Sequence, residues 1–382
     1  MDAFPEKLSQ KLLQRIESNA LRQLTKPNEL VDFSSNDYLG LAKNEEIFQQ
    51  THEFLVSRNY KVNGATGSRL LSGNHAFYFE VEKYIAQFHQ AQAALIFNSG
   101  YDANIGFFSS VPQRNDIILF DELSHASIRD GIQMSLAKSF KFKHNNLVDL
   151  ENLLIKHTQA TDNEQRTTFY IITESVFSMD GDSPDLEKMI QLAENFNAFL
   201  VVDEAHALGV FGKNGEGLVQ QLNLHDKVFA RIITFGKALG CHGAAILGSE
   251  QLKNYLVNFA RSFIYTTGLS PHSVATIFVA YQHLLKSQQD RAKLIQNIAC
   301  FKSCLPTSIF HLPSNSSIHS VIIPGNDRVK TIAQQLQQNG FDVKPILSPT
   351  VPEGQERLRF CLHSFNSEQE IRAVLTLLKK II

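Results

Sequence analysis

AFLVVDEAHALG, residues 198–209, runs through an unbroken apolar stretch into Asp203, Glu204 and His206 and closes on Gly209. A run this short, rich in Val and Leu and without polar alternation, reads as a strand buried on both faces. The polar residues mark where it leaves the core. Outward from it the same pattern recurs in AALIF (93–97), DIILF (116–120), TTFYIIT (167–173), RIITF (231–235) and GAAILG (243–248). Helical patterns lie between, among them SHASIRDGIQMSL (124–136) and DLEKMIQLAENF (185–196). Strands alternating with helices imply βαβ units, so the expected class is α/β, a mostly parallel sheet sandwiched by helices.

The character changes after about residue 285. SSIHSVIIPG (316–325), DRVKTIAQQLQQNG (327–340), FDVKPIL (341–347), RLRFCLHS (357–364) and a last helix read as β-α-β-β-α, a small α+β lobe. Ser367 with Glu370 three residues on is a capping-box pattern, and Gly340 stands where a helix C-terminal cap belongs. The expected organisation is an N-terminal helix-and-strand segment over 1–45, a large α/β domain over 46–285 and a small C-terminal α+β domain over 286–382.

The 382 residues carry a formal net charge of -2, which gives no support for a nucleic-acid partner. MDAFPEKLSQKLLQRIES (1–18) spaces Leu8, Leu12, Leu13 and Ile16 among acidic residues and reads as an amphipathic helix rather than a signal or transit peptide. No apolar run approaches the ~20 residues that span a bilayer, so a membrane is not expected and a cytoplasmic location is. Cys241, Cys300, Cys304 and Cys361 form no CxxC pair, which suits a reducing compartment; Cys300 and Cys304, one helical turn apart, read as two core positions. No metal site is indicated.

Four polar constellations sit where these strands end. TFGKALG (234–240) places Lys237 among small residues directly after a strand, where its amine can enter a crevice. An isolated lysine is a surface residue far more often, and only its company changes that reading. Asp203 and His206 supply the company: a carboxylate there can hold a pyridine nitrogen protonated, and the imidazole can reach a phenolic oxygen. NSGYDAN (98–104) opens a helix after a strand, a place suited to an anion, and His125 in LSHAS (123–127) can stack on a flat ring. The letters DEAH also mark a helicase strand, but that reading needs a GxxxxGK[ST] loop upstream and the chain has none.

Taken together these segments resemble the α-oxoamine synthases, fold-type-I enzymes dependent on pyridoxal phosphate. The matching strings are FSSNDYLGLA (33–42), GATGSRLLSGNH (64–75), NSGYDAN, LSHAS, TESVFSMDGD (173–182), VVDEAHALGV (201–210), TFGKALGCHGAA (234–245), FIYTTGLSP (263–271) and SPTVPEGQERLRF (348–360). They run in family order over nearly the whole chain, and SRLLSGNH, FIYTT and PTVPEGQERLR are most similar to the biotin-pathway branch.

The resemblance implies pyridoxal 5'-phosphate on Lys237, with Asp203 at the pyridine nitrogen and His206 at the phenolic oxygen. It implies Gly100, Tyr101 and Thr234 at the cofactor, Ser178 helping to fix the ring and His125 stacked over it and facing the substrate. Arg359 would clamp the amino-acid carboxylate, with Arg22 and Thr350 also on the substrate side; Arg357, two residues from Arg359, shares its face. The implied reaction joins L-alanine to a pimeloyl thioester, carried by coenzyme A or acyl carrier protein, with loss of carbon dioxide, and Lys237, Asp203 and His125 as catalytic residues. A homodimer is implied by analogy. The chain departs from the pattern at Tyr78, where the family has histidine, at Cys241–His242, and in a shorter segment between Arg22 and Phe33. A sister reaction with glycine or another acyl chain stands beside this reading. A non-catalytic partner subunit of the same fold is the other class, and it would have no reason to keep both Lys237 and Asp203.

Overall fold

The apolar runs become strands. The computed structural model describes residues 4–24, 29–159 and 167–382. Contacts divide the chain into one unit of Met1–Ser35, Met179–Gly181 and Lys293–Ile382, and a larger unit of Asn36–Ser178 and Asp182–Ala292.

A two-residue strand, β1 (Val31–Asp32), comes first in the chain and belongs to the smaller unit. The larger unit is built on β2 (Ala93–Phe97), β3 (Ile117–Asp121), β4 (Lys138–Phe142), β5 (Phe169–Glu174), β6 (Phe199–Asp203), β7 (Ala230–Thr234) and β8 (Ala244–Gly248). They form one seven-stranded sheet in the order β2-β8-β7-β6-β5-β3-β4. Pairing is parallel from β7 through β4 and antiparallel on both sides of β8. The connection from β7 to β8, residues 235–243, is too short for a crossover helix, so the chain must turn back on itself. That turn carries Lys237. The core lies against the sheet: Phe107, Phe108, Ile118, Ile172, Val201 and Ile232 are at most 1% exposed. Each such side chain contributes roughly 1.5–3 kcal/mol on burial.

The sequence reading passed over β4. Its sequence, KSFKF, buries only Phe142, half-buries Phe140 and exposes the rest, and it lies at the sheet edge, where lysines discourage pairing with another chain. An edge strand of this kind has neither the apolar run nor a clean alternation.

In the smaller unit β1 pairs in parallel with β10 (Phe341–Asp342). There β11 (Lys344–Ile346), β12 (Arg357–Cys361) and β9 (Ile318–Ile322) form an antiparallel sheet in that order. The capping box forms at the start of the helix Glu368–Ile381: Ser367 Oγ accepts from Glu370 N–H and the Glu370 carboxylate from Ser367 N–H. Gly340, at φ +94°, closes the helix Asn326–Gln338. The helix Glu6–Glu17 forms as expected, with its apolar residues Leu8, Leu12, Leu13 and Ile16 exposed. The expectation of a core location for Cys300 and Cys304 is corrected: both are half-buried, on the side of the helix Gln288–Cys304 that lies next to Arg372. Among the described residues no helix is long and apolar enough to cross a membrane.

Candidate active site

The carboxyl ends of parallel strands place polar side chains at one sheet edge. Glu174 ends β5, Asp203 ends β6 and Thr234 ends β7, with Glu174 in direct register with Asp203. The eleven-residue helix Gly100–Ser110 starts after β2, capped by Ser99 Oγ accepting from Asp102 N–H. The helix Ala126–Gln133 starts after β3, with His125 as its cap. Between them lies a cavity of about 190 Å³, and Gly100, Tyr101, His125, Asp203, His206, Thr234 and Lys237 all line it.

The turn holding Lys237 is tightly made. Gly240 N–H donates to Lys237 O at 2.8 Å and Cys241 N–H to Phe235 O at 2.8 Å. Gly240 has φ +61°, and a Cβ there would stand 2.1 Å from Ala42 N, so only glycine fits. Lys237 Nζ lies 2.8 Å from His206 Nε2, and His206 Nδ1 lies 2.6 Å from the Tyr38 hydroxyl. With the ammonium donating, Nε2 accepts and the ring proton sits on Nδ1 facing Tyr38, which in turn donates to Asn36 Oδ1 at 3.2 Å. The lysine is thus aimed by a relay of three side chains.

Asp203 is buried, and its two oxygens accept from Asn104 Nδ2 and Ala205 N–H, both at 2.9 Å. His125 Nδ1 lies 2.7 Å from Ser127 Oγ and accepts from Ser127 N–H. Burial lowers the His125 pKa, with Lys237 and Arg129 adding to the effect and Asp203 and Asp130 opposing it, so the ring is held towards its neutral form. Tyr101 donates to Asp130 at 2.6 Å, which raises its pKa.

Glu174 was not singled out from the sequence. It is 3% exposed, lines the cavity, and accepts from His125 N–H at 2.6 Å. Burial, and then the Asp203 charge, push its pKa up to about 8. Folding therefore raises its affinity for a proton above the ordinary value of 4.5. The stability this contributes is present in full below about 4.5 and is lost as pH rises through about 8. Glu174→Gln keeps an acceptor for His125 N–H and removes the titration. Urea unfolding of cofactor-free protein at pH 5 and pH 8.5 should show the variant gaining at least ~1 kcal/mol on the parent at the higher pH. An equal difference at both pH values would contradict the assignment.

Other expected residues lie elsewhere. Ser178, in the turn after β5, is half-buried and is not among the residues lining this cavity. In the smaller unit Arg22 and Thr350 line a cavity of about 590 Å³, with apolar walls from Leu21, Ile346 and Leu347, and Arg22 Nη2 donates to Thr350 Oγ1 at 3.3 Å. Arg357 and Arg359 are both buried on one face of β12. Arg357 is ion-paired with Asp180, while Arg359 Nη1 lies 2.9 Å from Cys361 Sγ.

The donor set suits pyridoxal phosphate: a buried carboxylate for a protonated ring nitrogen, an amine beside an imidazole, and a helix N-terminus with Thr234 for a phosphate. A Cβ on Gly100 would lie 3.6 Å from Thr234 Oγ1, within the space the phosphate needs. The family model described as aminotransferase class I and II matches residues 28–378. The chain belongs to that family. It is a pyridoxal-phosphate-dependent acyltransferase of the α-oxoamine synthase branch. An 8-amino-7-oxononanoate synthase from Emericella nidulans is 40% identical over 97% of this chain and 94% of its own length. A crystal structure of 8-amino-7-oxononanoate synthase from Francisella tularensis is 29% identical with TM-score 0.77, covering 93% of this chain and 98% of that one. A serine palmitoyltransferase from S. paucimobilis, with a bound PLP–myriocin aldimine, is 25% identical with TM-score 0.86, covering 98% and 96%.

Proposed function

We propose that this acyltransferase condenses L-alanine with a pimeloyl thioester, on coenzyme A or acyl carrier protein, releasing carbon dioxide and the free thiol carrier. The product is 8-amino-7-oxononanoate, a precursor in biotin biosynthesis. The observation that carries the reading is end-to-end identity of 40% with a relative of that name.

Bound pyridoxal phosphate supplies an electron-accepting ring that stabilises negative charge at the amino acid's Cα. Lys237 would be the attachment point of the cofactor, and its amine would be the base that takes the Cα proton. Its pairing with His206 at 2.8 Å keeps the amine aimed at that position. Asp203 keeps a proton on the ring nitrogen, and its own two hydrogen bonds hold it in place. His125 would cover the ring face, and Thr234 with Gly100 and Tyr101 at the helix start would receive the phosphate; Ser178, outside the residues that line the cavity, keeps its ring-fixing role on family resemblance alone. Arg22 and Thr350 line a cavity that joins the polar Arg15, Gln23 and Ser348 to the apolar Leu21, Leu24, Ile346 and Leu347, a mixture that suits an acyl chain with an apolar middle and a charged end. The exposed apolar face of the helix Glu6–Glu17 supports a homodimer.

Arg359 takes the amino-acid carboxylate in this reading, as the family resemblance implies, while Arg357 is ion-paired with Asp180. Arg359→Ala should raise the alanine KM by the equivalent of ~2–5 kcal/mol. Arg357→Ala breaks the buried ion pair with Asp180, and should instead destabilise the fold by ~3–5 kcal/mol. If Arg357→Ala shows the larger KM effect, the roles are exchanged.

Backbone likeness to a serine palmitoyltransferase exceeds that to the solved 8-amino-7-oxononanoate synthase, 0.86 against 0.77, so a sister specificity is the second reading. Competition between pimeloyl, succinyl, acetyl and palmitoyl thioesters, with alanine, glycine or serine, separates them. Each methylene of mismatch is worth ~1–3 kcal/mol, so pimeloyl with alanine should lead by a wide margin in kcat/KM. Preference for palmitoyl with serine, or for acetyl with glycine, would move the chain to a sister branch.

A further inference from the structure

The smaller unit holds two half-buried thiols on one helix face. Cys300 and Cys304 are four residues apart on the helix Gln288–Cys304, and Arg372, on the helix Glu368–Ile381, directs Nη1 at Cys304 Sγ from 3.0 Å. The other two cysteines are held differently. Cys361 is fully buried in β12, and Cys241 Sγ donates to Leu239 O at 3.1 Å, with burial pushing its pKa up to about 12.

We propose that Cys300 and Cys304 form a reversible thiol-oxidation site for hydroperoxides, with Cys304 the attacking sulfur and Cys300 the one that resolves it. A guanidinium beside a sulfur favours the thiolate, the nucleophilic form, and the only guanidinium bonded to either thiol among the described residues faces Cys304. Burial and then the neighbouring Cys304 sulfur raise the Cys300 thiol, which suits Cys300 to the resolving step rather than to the first attack. The Cys304 thiolate attacks the terminal peroxide oxygen: an S–O bond forms, the O–O bond breaks, and hydroxide (from hydrogen peroxide) or alkoxide (from an organic hydroperoxide) leaves, with sulfur oxidised by two electrons and the peroxide reduced. Cys300, its proton lost to solvent, then attacks Cys304 Sγ. The S–S bond forms, the S–O bond breaks, and the departing hydroxide takes up a proton as water.

Helical residues four apart hold their Cβ atoms ~5–6 Å apart, whereas a disulfide needs ~3.5–4.5 Å. Cys304 is the last residue of its helix, so fraying of that end residue, with the fully buried Phe301 holding the turn before it, is the movement that brings the two sulfurs together.

Trypsin cleavage after Lys302 puts the two cysteines on separate peptides, 294–302 and 303–328. Reduced holoenzyme treated with near-stoichiometric hydrogen peroxide should yield these peptides cross-linked, and a dithiol should separate them. In Cys300→Ser, dimedone should label peptide 303–328, and adding Arg372→Gln should slow that labelling at least about threefold. Catalytic turnover of each variant before oxidation should match the parent, which shows that the fold is intact. The proposal is overturned if Cys241 or Cys361 oxidises as fast as Cys304, if the parent accumulates labelled Cys304 without the cross-link, or if Arg372→Gln leaves the rate unchanged.

Discussion

Lys237→Ala should lower condensation on the order of a thousandfold or more while leaving the fold intact. Removing a positioned proton-transfer group alone costs ~10²–10⁴-fold, and this side chain is also the attachment point of the cofactor. The truncation removes the 2.8 Å pairing with His206 and leaves untouched the backbone bonds that close the 235–243 turn. The variant should therefore unfold within a few degrees of the parent. Rates should be followed by release of the free thiol. Near-normal turnover in a folded variant would refute the role of Lys237.

Asp203→Asn should reduce turnover by at least ~100-fold, the scale seen when a preorganised electrostatic stabiliser is lost. The substitution keeps size and removes the charge. It also disturbs one of two hydrogen bonds, because both Asp203 oxygens accept, from Asn104 and Ala205, and an amide has a single acceptor oxygen. The same change carries a second reading. The Asp203 charge helps to raise Glu174, so in the variant Glu174 should titrate lower and the alkaline loss of stability should shrink. A fall in rate without that change in pH dependence would place Asp203 away from Glu174, against the register of β5 and β6.

The difference between what the sequence disclosed and what it hid has a physical basis. Buried parallel strands must be apolar throughout, so AFLVV and RIITF were plain, and the residues directly after them at the sheet edge followed. The capping box at Ser367 is a local device and was equally readable. Glu174 was not, because one carboxylate in TESVFSMDGD looks like any surface acid until strand pairing sets it beside Asp203. Tyr38 lies 168 positions before His206, and only the fold makes it the partner of that ring. KSFKF escaped for the opposite reason: as an edge strand it has little to bury. Cys300 and Cys304 carried the periodicity of core residues, yet the helix turns them towards Arg372, a long-range contact that periodicity does not encode.

The central claim is that pyridoxal phosphate is held covalently by Lys237 in the turn between β7 and β8. Purified protein loaded with the cofactor should be yellow, and borohydride should fix the cofactor to one lysine. Digestion and mass spectrometry should then find the added mass only on the peptide containing Lys237, with none in Lys237→Ala. Cofactor mass on another lysine, or undiminished fixation in Lys237→Ala, would contradict the account.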